Sequence, residues 1–165
     1  MSPSNSIIRQ VLTTDLDRCF AIESIAYEGD EAATREKIAT RIATWPQGFI
    51  VLEVDGVVAG FVNSGSAFDV QMSDEAFKEL IGHDPQGPHV VIMSVVVHPD
   101  YQGQGLAKRL MSAFIEQMRD LGKASIHLMC QERLVPFYQT FGFIYSKPSE
   151  SDHGGMVWHE MILEL

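Results

Sequence analysis

The 165 residues carry 12 lysines and arginines against 22 aspartates and glutamates, a formal net charge of −10 at pH 7, which repels nucleic acid and acidic membranes and leaves cationic molecules as natural partners. Hydrophobic residues make up 45% of the chain, enough for a single domain over 1–165 with a sizeable core. No apolar run reaches the length of a membrane span, and residues 1–6 lack the basic start and apolar stretch of a secretory signal. Cys19 and Cys130 stand far apart with no metal-type spacing, so they read as core thiols in a reducing cytoplasm, and no metal is expected.

In chain order, IIRQVL (7–12) reads as a first strand. Thr14, with Asp17 three residues on, is placed to cap a helix carrying Leu16, Cys19, Phe20 and Tyr27. A second helix is expected over Thr34–Trp45, with Ile38, Ile42 and Trp45 on one face and Pro46 beyond its end. FIVLEV and VVAGFVNSG flank Asp55-Gly56, a strong hairpin signal. Residues 66–88 form an excursion with a short helix near DEAFKELIG, and HVVIMSVVV (89–97) is the apolar run expected of a central strand covered on both faces. From Leu106 onward, apolar residues at Leu110, Ala113, Phe114, Met118 and Leu121 recur every three or four positions until Gly122 supplies a stop. SIHLMC follows as a strand, VPFYQTFG as a short helix and MVWHEMILEL as a last strand.

The segment HPDYQGQGLAKRLM (98–111) sets two glycines at the entrance of the long helix. Glycines there imply positive φ or a ligand approaching closer than a Cβ allows. The first turn of a helix also presents unpaired N–H groups and the positive end of the dipole, which suits a phosphate. A Walker loop is absent. The dinucleotide fingerprint fails because Lys108 occupies its third glycine position.

What fits is Gln102-Gly103-Gln104-Gly105-Leu106-Ala107, which resembles the Q/R-x-x-G-x-G/A pyrophosphate loop of the GNAT acyltransferases. LMCQERLVPFYQTFGF (128–143) further resembles the carboxyl-terminal motif of the arylalkylamine N-acetyltransferases, and CFAIESIAYEGDEAA resembles that family's helix and acidic loop. The resemblance implies an α/β (α+β) GNAT fold: a mixed, mostly antiparallel sheet splayed at its central strands, with helices on both faces. It also implies acetyl-CoA as cosubstrate. Pantetheine would pair with strand backbone at Val95 and Val97, and the diphosphate would rest on main-chain N–H groups from Gln102 through Gly103, Gln104, Gly105 and Leu106 to Ala107. Lys108, Arg109 and Arg133 are the cations within reach of a phosphate.

The chemistry is attack of a neutral amine on a thioester. An alkylammonium has a pKa of roughly 10, so about one molecule in a thousand is nucleophilic at neutral pH, and a base must take its proton. Tyr138 occupies the tyrosine of the F-Y-x-x-x-G-F motif and is expected to protonate the departing thiolate. Where the vertebrate arylalkylamine enzymes carry two histidines on the central strand, this chain has Val91 and Met93, and neither takes a proton. Glu31 is the leading replacement, with His89 second and His98 marking only the strand's end. Tyr27, Glu28 and Asp30 are expected to line the site of the cationic amine.

The activity so implied is N-acetylation of a small primary amine, an arylalkylamine or polyamine, with no nucleic-acid or membrane partner and with a homodimer as one assembly open to it. A non-catalytic acyl-CoA-binding module and a protein N-acetyltransferase are the alternatives.

Overall fold

A computed structural model describes residues 6–27, 32–70, 80, 82–148 and 158–165. Among the described residues seven strands form one sheet in the order β1-β2-β3-β4-β5-β7-β6: β1 (Ser6–Gln10), β2 (Phe49–Val54), β3 (Val57–Ala67), β4 (His89–Val97), β5 (Ser125–Cys130), β6 (Ile144–Pro148) and β7 (His159–Glu164). The helices are α1 (Leu16–Ala26), α2 (Arg35–Thr44), α3 (Leu106–Asp120) and the short α4 (Val135–Gln139). The chain divides into two compact units, residues 1–63 with 94–114 and residues 64–93 with 115–165.

In the first unit, β1 and β2 pair antiparallel from Ser6↔Val54 to Gln10↔Ile50, and β2 and β3 form the hairpin expected around Asp55-Gly56. Asp55 and Gly56 both have positive φ, +52° and +84°, as a tight two-residue turn between twisted strands requires. Its core gathers Cys19 and Ile22 of α1, Ile38 and Ile42 of α2, and Phe49, Val51, Val58, Phe61 and Val96 from the strands. α2 is capped as its sequence predicts: the Thr34 hydroxyl accepts the Lys37 N–H at 3.2 Å. The cap of α1 differs. A 3₁₀ turn over Thr13–Asp15 leads into the helix, so Asp15, not Thr14, stands at its start; its side chain bonds no amide of α1 and instead accepts the Leu12 N–H at 2.7 Å and two bonds from Arg9 at 2.8 and 3.0 Å. That clamp also explains why β1 stops at Gln10 rather than Leu12.

In the second unit, β4 and β5 run parallel over three residue pairs, His89↔Ser125 to Val91↔His127, and the ladder then ends although both strands continue. This is the splay expected at the central strands. β5 pairs antiparallel with β7, and β7 with β6. β6 is absent from the sequence expectations: IYSKP is exposed at all five positions, so it has no alternation of apolar and polar residues to announce a strand. α3 ends as Gly122 predicts, its last turn closed by bonds from the Gly122 N–H to the Arg119 carbonyl and from the Lys123 N–H to the Met118 carbonyl, each at 3.0 Å.

β4 departs from the expectation of burial on both faces. Val90, Ile92, Ser94 and Val96 are buried, whereas His89, Val91, Met93 and Val95 alternate with them as partly accessible residues. One face of the central strand is therefore open to chemistry. The expected helix near DEAFKELIG lies mostly outside the described residues. Cys19 and Cys130 are free and buried, and burial pushes their thiols up to about 12 and about 11.

The Arg9–Asp15 clamp gives a test of the fold. The hydrogen bond from Arg9 is the largest cause holding the Asp15 carboxyl below its ordinary value. Its folded pKa is thus below its unfolded one, so its stabilisation is present above roughly pH 4 and is lost as pH falls further. Asp15→Asn is expected to destabilise the protein by about 1–3 kcal/mol at pH 7 and by less near pH 3, read by urea denaturation at both pH values.

Candidate active site

The segment after β4 folds tightly. Its three residues Pro99–Tyr101 form a 3₁₀ turn in which His98 Nδ1 accepts the Asp100 N–H at 3.0 Å, consistent with His98 marking the strand's end. Gly103 and Gly105 then take φ of +80° and +76°, a region closed to most side chains, and a Cβ built on either meets no atom within 4 Å. Arg109 N–H to the Gly105 carbonyl, at 3.1 Å, is the first bond of α3. The N–H groups of Leu106, Ala107 and Lys108 therefore precede the helical ladder and point out at its positive end. A bare, open turn leading into such donors fits a diphosphate.

The neighbouring groups are fixed by side chains. The Gln102 amide donates to the Val97 carbonyl at 3.1 Å, and its main-chain N–H donates to Pro99 at 3.3 Å, so the first N–H of the expected cradle is already engaged. The Tyr27 hydroxyl donates to the Val95 carbonyl at 3.4 Å. Arg109 is turned to the Ser6 carbonyl and Arg133 to Gln131, so neither is held in place for a phosphate.

Glu28, Asp30 and Glu31 lie outside the described residues, but the residues on either side of them are placed. Beyond them, the Ala33 N–H donates to Glu23 Oε2 at 2.8 Å. Glu23 is 1% exposed and Arg41 2%, and Arg41 Nη1 lies 3.4 Å from Asn63 Oδ1. Burial draws the Arg41 guanidinium down to about 10 while the field of Glu23 opposes it, so it remains a cation at neutral pH. An open depression of about 530 Å³ is lined by Phe20, Ser24, Tyr27 and residues 32–36 at the start of α2. Sequence reading missed Glu23 and Arg41. Their signal is an ionisable residue on the apolar stripe of each helix, Arg41 standing directly beside Ile42.

In the second unit, Tyr138 sits in α4 at 6% exposure, with the Phe137 and Phe143 rings edge-on to it at centroid distances of 5.1 and 5.8 Å. His89 opens β4, its Nδ1 2.6 Å from the Ser125 hydroxyl, and His127 Nε2 lies 2.9 Å beyond. Val91 and Met93 share the accessible face with His89. Ser125 and His127 were also missed, since only the register of the parallel ladder brings them to His89. Among the described residues no group of three or more metal-ligating side chains occurs. No described helix is long and apolar enough to cross a membrane.

The model of the acetyltransferase (GNAT) family matches residues 11–143. The chain belongs to that family. Among curated proteins, it is 34% identical over 110 residues to the L-amino acid N-acyltransferase MnaT of Escherichia coli, covering 64% of this chain and 54% of that one.

Among solved structures, the loading GNATL domain of CurA from Lyngbya majuscula superposes with a TM-score of 0.85 at 19% identity, covering 97% of this chain and 98% of that one. The putative acetyltransferase yncA of Salmonella typhimurium, solved with its cofactor acetyl-CoA, gives 0.70 at 24% identity, covering 98% and 95%. These likenesses establish the mixed α/β GNAT fold. The chain spans 38% to 65% of the length of four of the curated relatives it matches.

The loop geometry predicts the outcome of Gly105→Glu, which places both a disfavoured backbone conformation and a negative charge in the cradle. Acetyl-CoA affinity by calorimetry is expected to fall about tenfold or more, with the folded spectrum retained. Unchanged affinity would remove the diphosphate from this loop.

Proposed function

We propose that the protein is an acetyl-CoA-dependent N-acetyltransferase acting on the primary amine of a small molecule, an arylalkylamine or polyamine. The observation that carries this reading is the open glycine turn at Gly103 and Gly105 running into the bare start of α3, within a chain of the GNAT family. The name of the Escherichia coli relative, an amino acid N-acyltransferase, supports a small-molecule acceptor, and the Salmonella structure supports acetyl-CoA. The arylalkylamine preference rests on LMCQERLVPFYQTFGF and on the net charge of −10, which favours a cationic substrate. We read the two units as one domain, since the family match runs through both. Two buried, unbridged thiols suit a reducing compartment such as the cytoplasm.

In this reading Leu106, Ala107 and Lys108 donate main-chain N–H groups to the diphosphate, and the backbone of β4 at Val95 and Val97 aligns the pantetheine. Acetyl-CoA supplies the activated thioester carbonyl. Glu28 and Asp30, with Tyr27, receive the ammonium. Glu31, directly or through water, or else His89, takes its proton. Tyr138 gives its hydroxyl hydrogen to the departing thiolate, and its aromatic packing holds the ring in place for that transfer.

Two measurements check the roles. Tyr138→Phe keeps the ring contacts with Phe137 and Phe143, so the fold should survive while turnover falls about a hundredfold. Equal turnover in both proteins would exclude the acid role. With Glu31 as the base, Glu31→Gln slows initial rates most at acidic pH, where few amines are neutral, and loses less at high pH. A ratio to wild type near one across the range would move the base to His89. A panel of amines scored by CoA release separates an enzyme from a module that binds acyl-CoA without turnover.

A further inference from the structure

Where the parallel ladder begins, three polar side chains form a chain across two strands. His89 Nδ1 lies 2.6 Å from Ser125 Oγ, and Ser125 Oγ lies 2.9 Å from His127 Nε2. The register dictates the cluster: Ser125 stands opposite His89 and His127 opposite Val91, so alternation places all three on one side of the sheet. The two imidazoles meet edge to face, centroids 5.7 Å apart and planes at 90°. Ser125 is 1% exposed, so its hydroxyl is committed to these two rings.

A hydroxyl has one hydrogen to donate. If it donates to His127 Nε2, it accepts from a hydrogen on His89 Nδ1, and the basic lone pair of His89 then stands on Nε2. The opposite arrangement would put a hydrogen on His89 Nε2 and leave nothing basic to offer. The first arrangement requires a neutral His127 with its lone pair on Nε2. Burial, and secondarily His89, hold His127 below the ordinary imidazole range, so it stays neutral and keeps a lone pair. Glu164, opposite Ser125 in the β5–β7 ladder, acts on His127 in the other sense, more weakly than burial and His89. No metal is needed to fix the tautomer.

We propose that Ser125 and His127 are positioning residues that lock His89 in the Nδ1–H tautomer, so that Nε2 is the atom that takes the proton of the acceptor amine. This rests on the acetyltransferase reading and takes His89, the second base named there, in place of Glu31, so it expects the Glu31→Gln rate ratio to stay near one across pH. In the step, an N–H bond of the substrate ammonium breaks and a bond from hydrogen to His89 Nε2 forms. The imidazolium then donates from Nδ1 to Ser125 Oγ while Ser125 donates to His127 Nε2, which spreads the charge without further transfer. Water receives the proton from Nε2 after the amide has formed. Any aliphatic ammonium suits this step, so the cluster sets the proton's route and leaves amine selectivity to other residues.

The test reads the tautomer directly. Two-bond ¹⁵N–¹H correlation spectra of the imidazoles are recorded for the wild type, His127→Phe and His127→Gln, with His89→Ala assigning the resonance, and rates are measured with acetyl-CoA and one amine. The wild type is expected to show His89 as Nδ1–H. His127→Phe keeps a ring but removes the acceptor, so Ser125 turns to His89 Nδ1 and the signal moves to Nε2–H. Its kcat/KM is expected to fall about tenfold or more with the KM for acetyl-CoA unchanged. His127→Gln restores an acceptor for the hydroxyl and is expected to recover most of the rate and the wild-type tautomer.

Should His127→Phe fail to fold, Ser125→Ala serves, with a mixed tautomer and the same loss expected. A wild-type His89 protonated on Nε2, or full activity in His127→Phe, overturns the positioning role while leaving the acetyltransferase reading intact. The expected tautomers with no turnover of any amine overturn that reading, and with it the role in catalysis.

Discussion

The parallel ladder between β4 and β5 is three residue pairs long, and where it starts and stops decides which groups the two strands bring together and which they leave unpaired with each other. Parallel pairing commits the backbone of both strands, so ending it early frees main-chain groups that an extended ligand can pair with, as an added strand pairs with a sheet edge. Its three pairs also bring His89, Ser125 and His127 to one side of the sheet. A longer ladder would pair the backbone a ligand needs, and one shifted by a single residue would turn Ser125 and His127 to the opposite face.

The first unit meets a different constraint. The loop after β4 must turn sharply and still present N–H groups outward, which two residues at positive φ achieve without any side chain in the way. Elsewhere in the unit, charges are used in pairs: half-buried Arg9 with buried Asp15 at the entrance of α1, and buried Glu23 acting on buried Arg41. Removing a charge from water costs several kcal/mol unless a partner and hydrogen bonds compensate. Glu23 therefore does two things at once, balancing Arg41 and holding the Ala33 N–H just after the acidic segment.

Fully exposed and fully buried polar groups behave differently in such a protein. The net charge of −10 creates a diffuse field that draws cations to the surface. Buried groups such as Ser125 and Arg41 act only on what touches them. Long-range attraction and local contact can thus reside in separate groups, one set by composition and the other by packing.

The amino-acid sequence by itself determined the elements whose patterns are local. The Asp55-Gly56 hairpin, the capped α2 and the long α3 with its Gly122 stop follow from short-range rules, and so does the glycine turn, because positive φ is a property of the residue itself. The family was legible for the same reason, since its loop and its F-Y-x-x-x-G-F segment are contiguous. Only the tertiary structure decided the rest. β6 has no buried face to give it a pattern, Asp15 rather than Thr14 stands at the start of α1 with Arg9 of β1 bound to it, and β4 kept one face open. Ser125 and His127 lie more than thirty residues from His89 and share no motif with it. Strand register alone makes them neighbours, and register is set by pairing between distant segments, which periodicity along one chain does not encode.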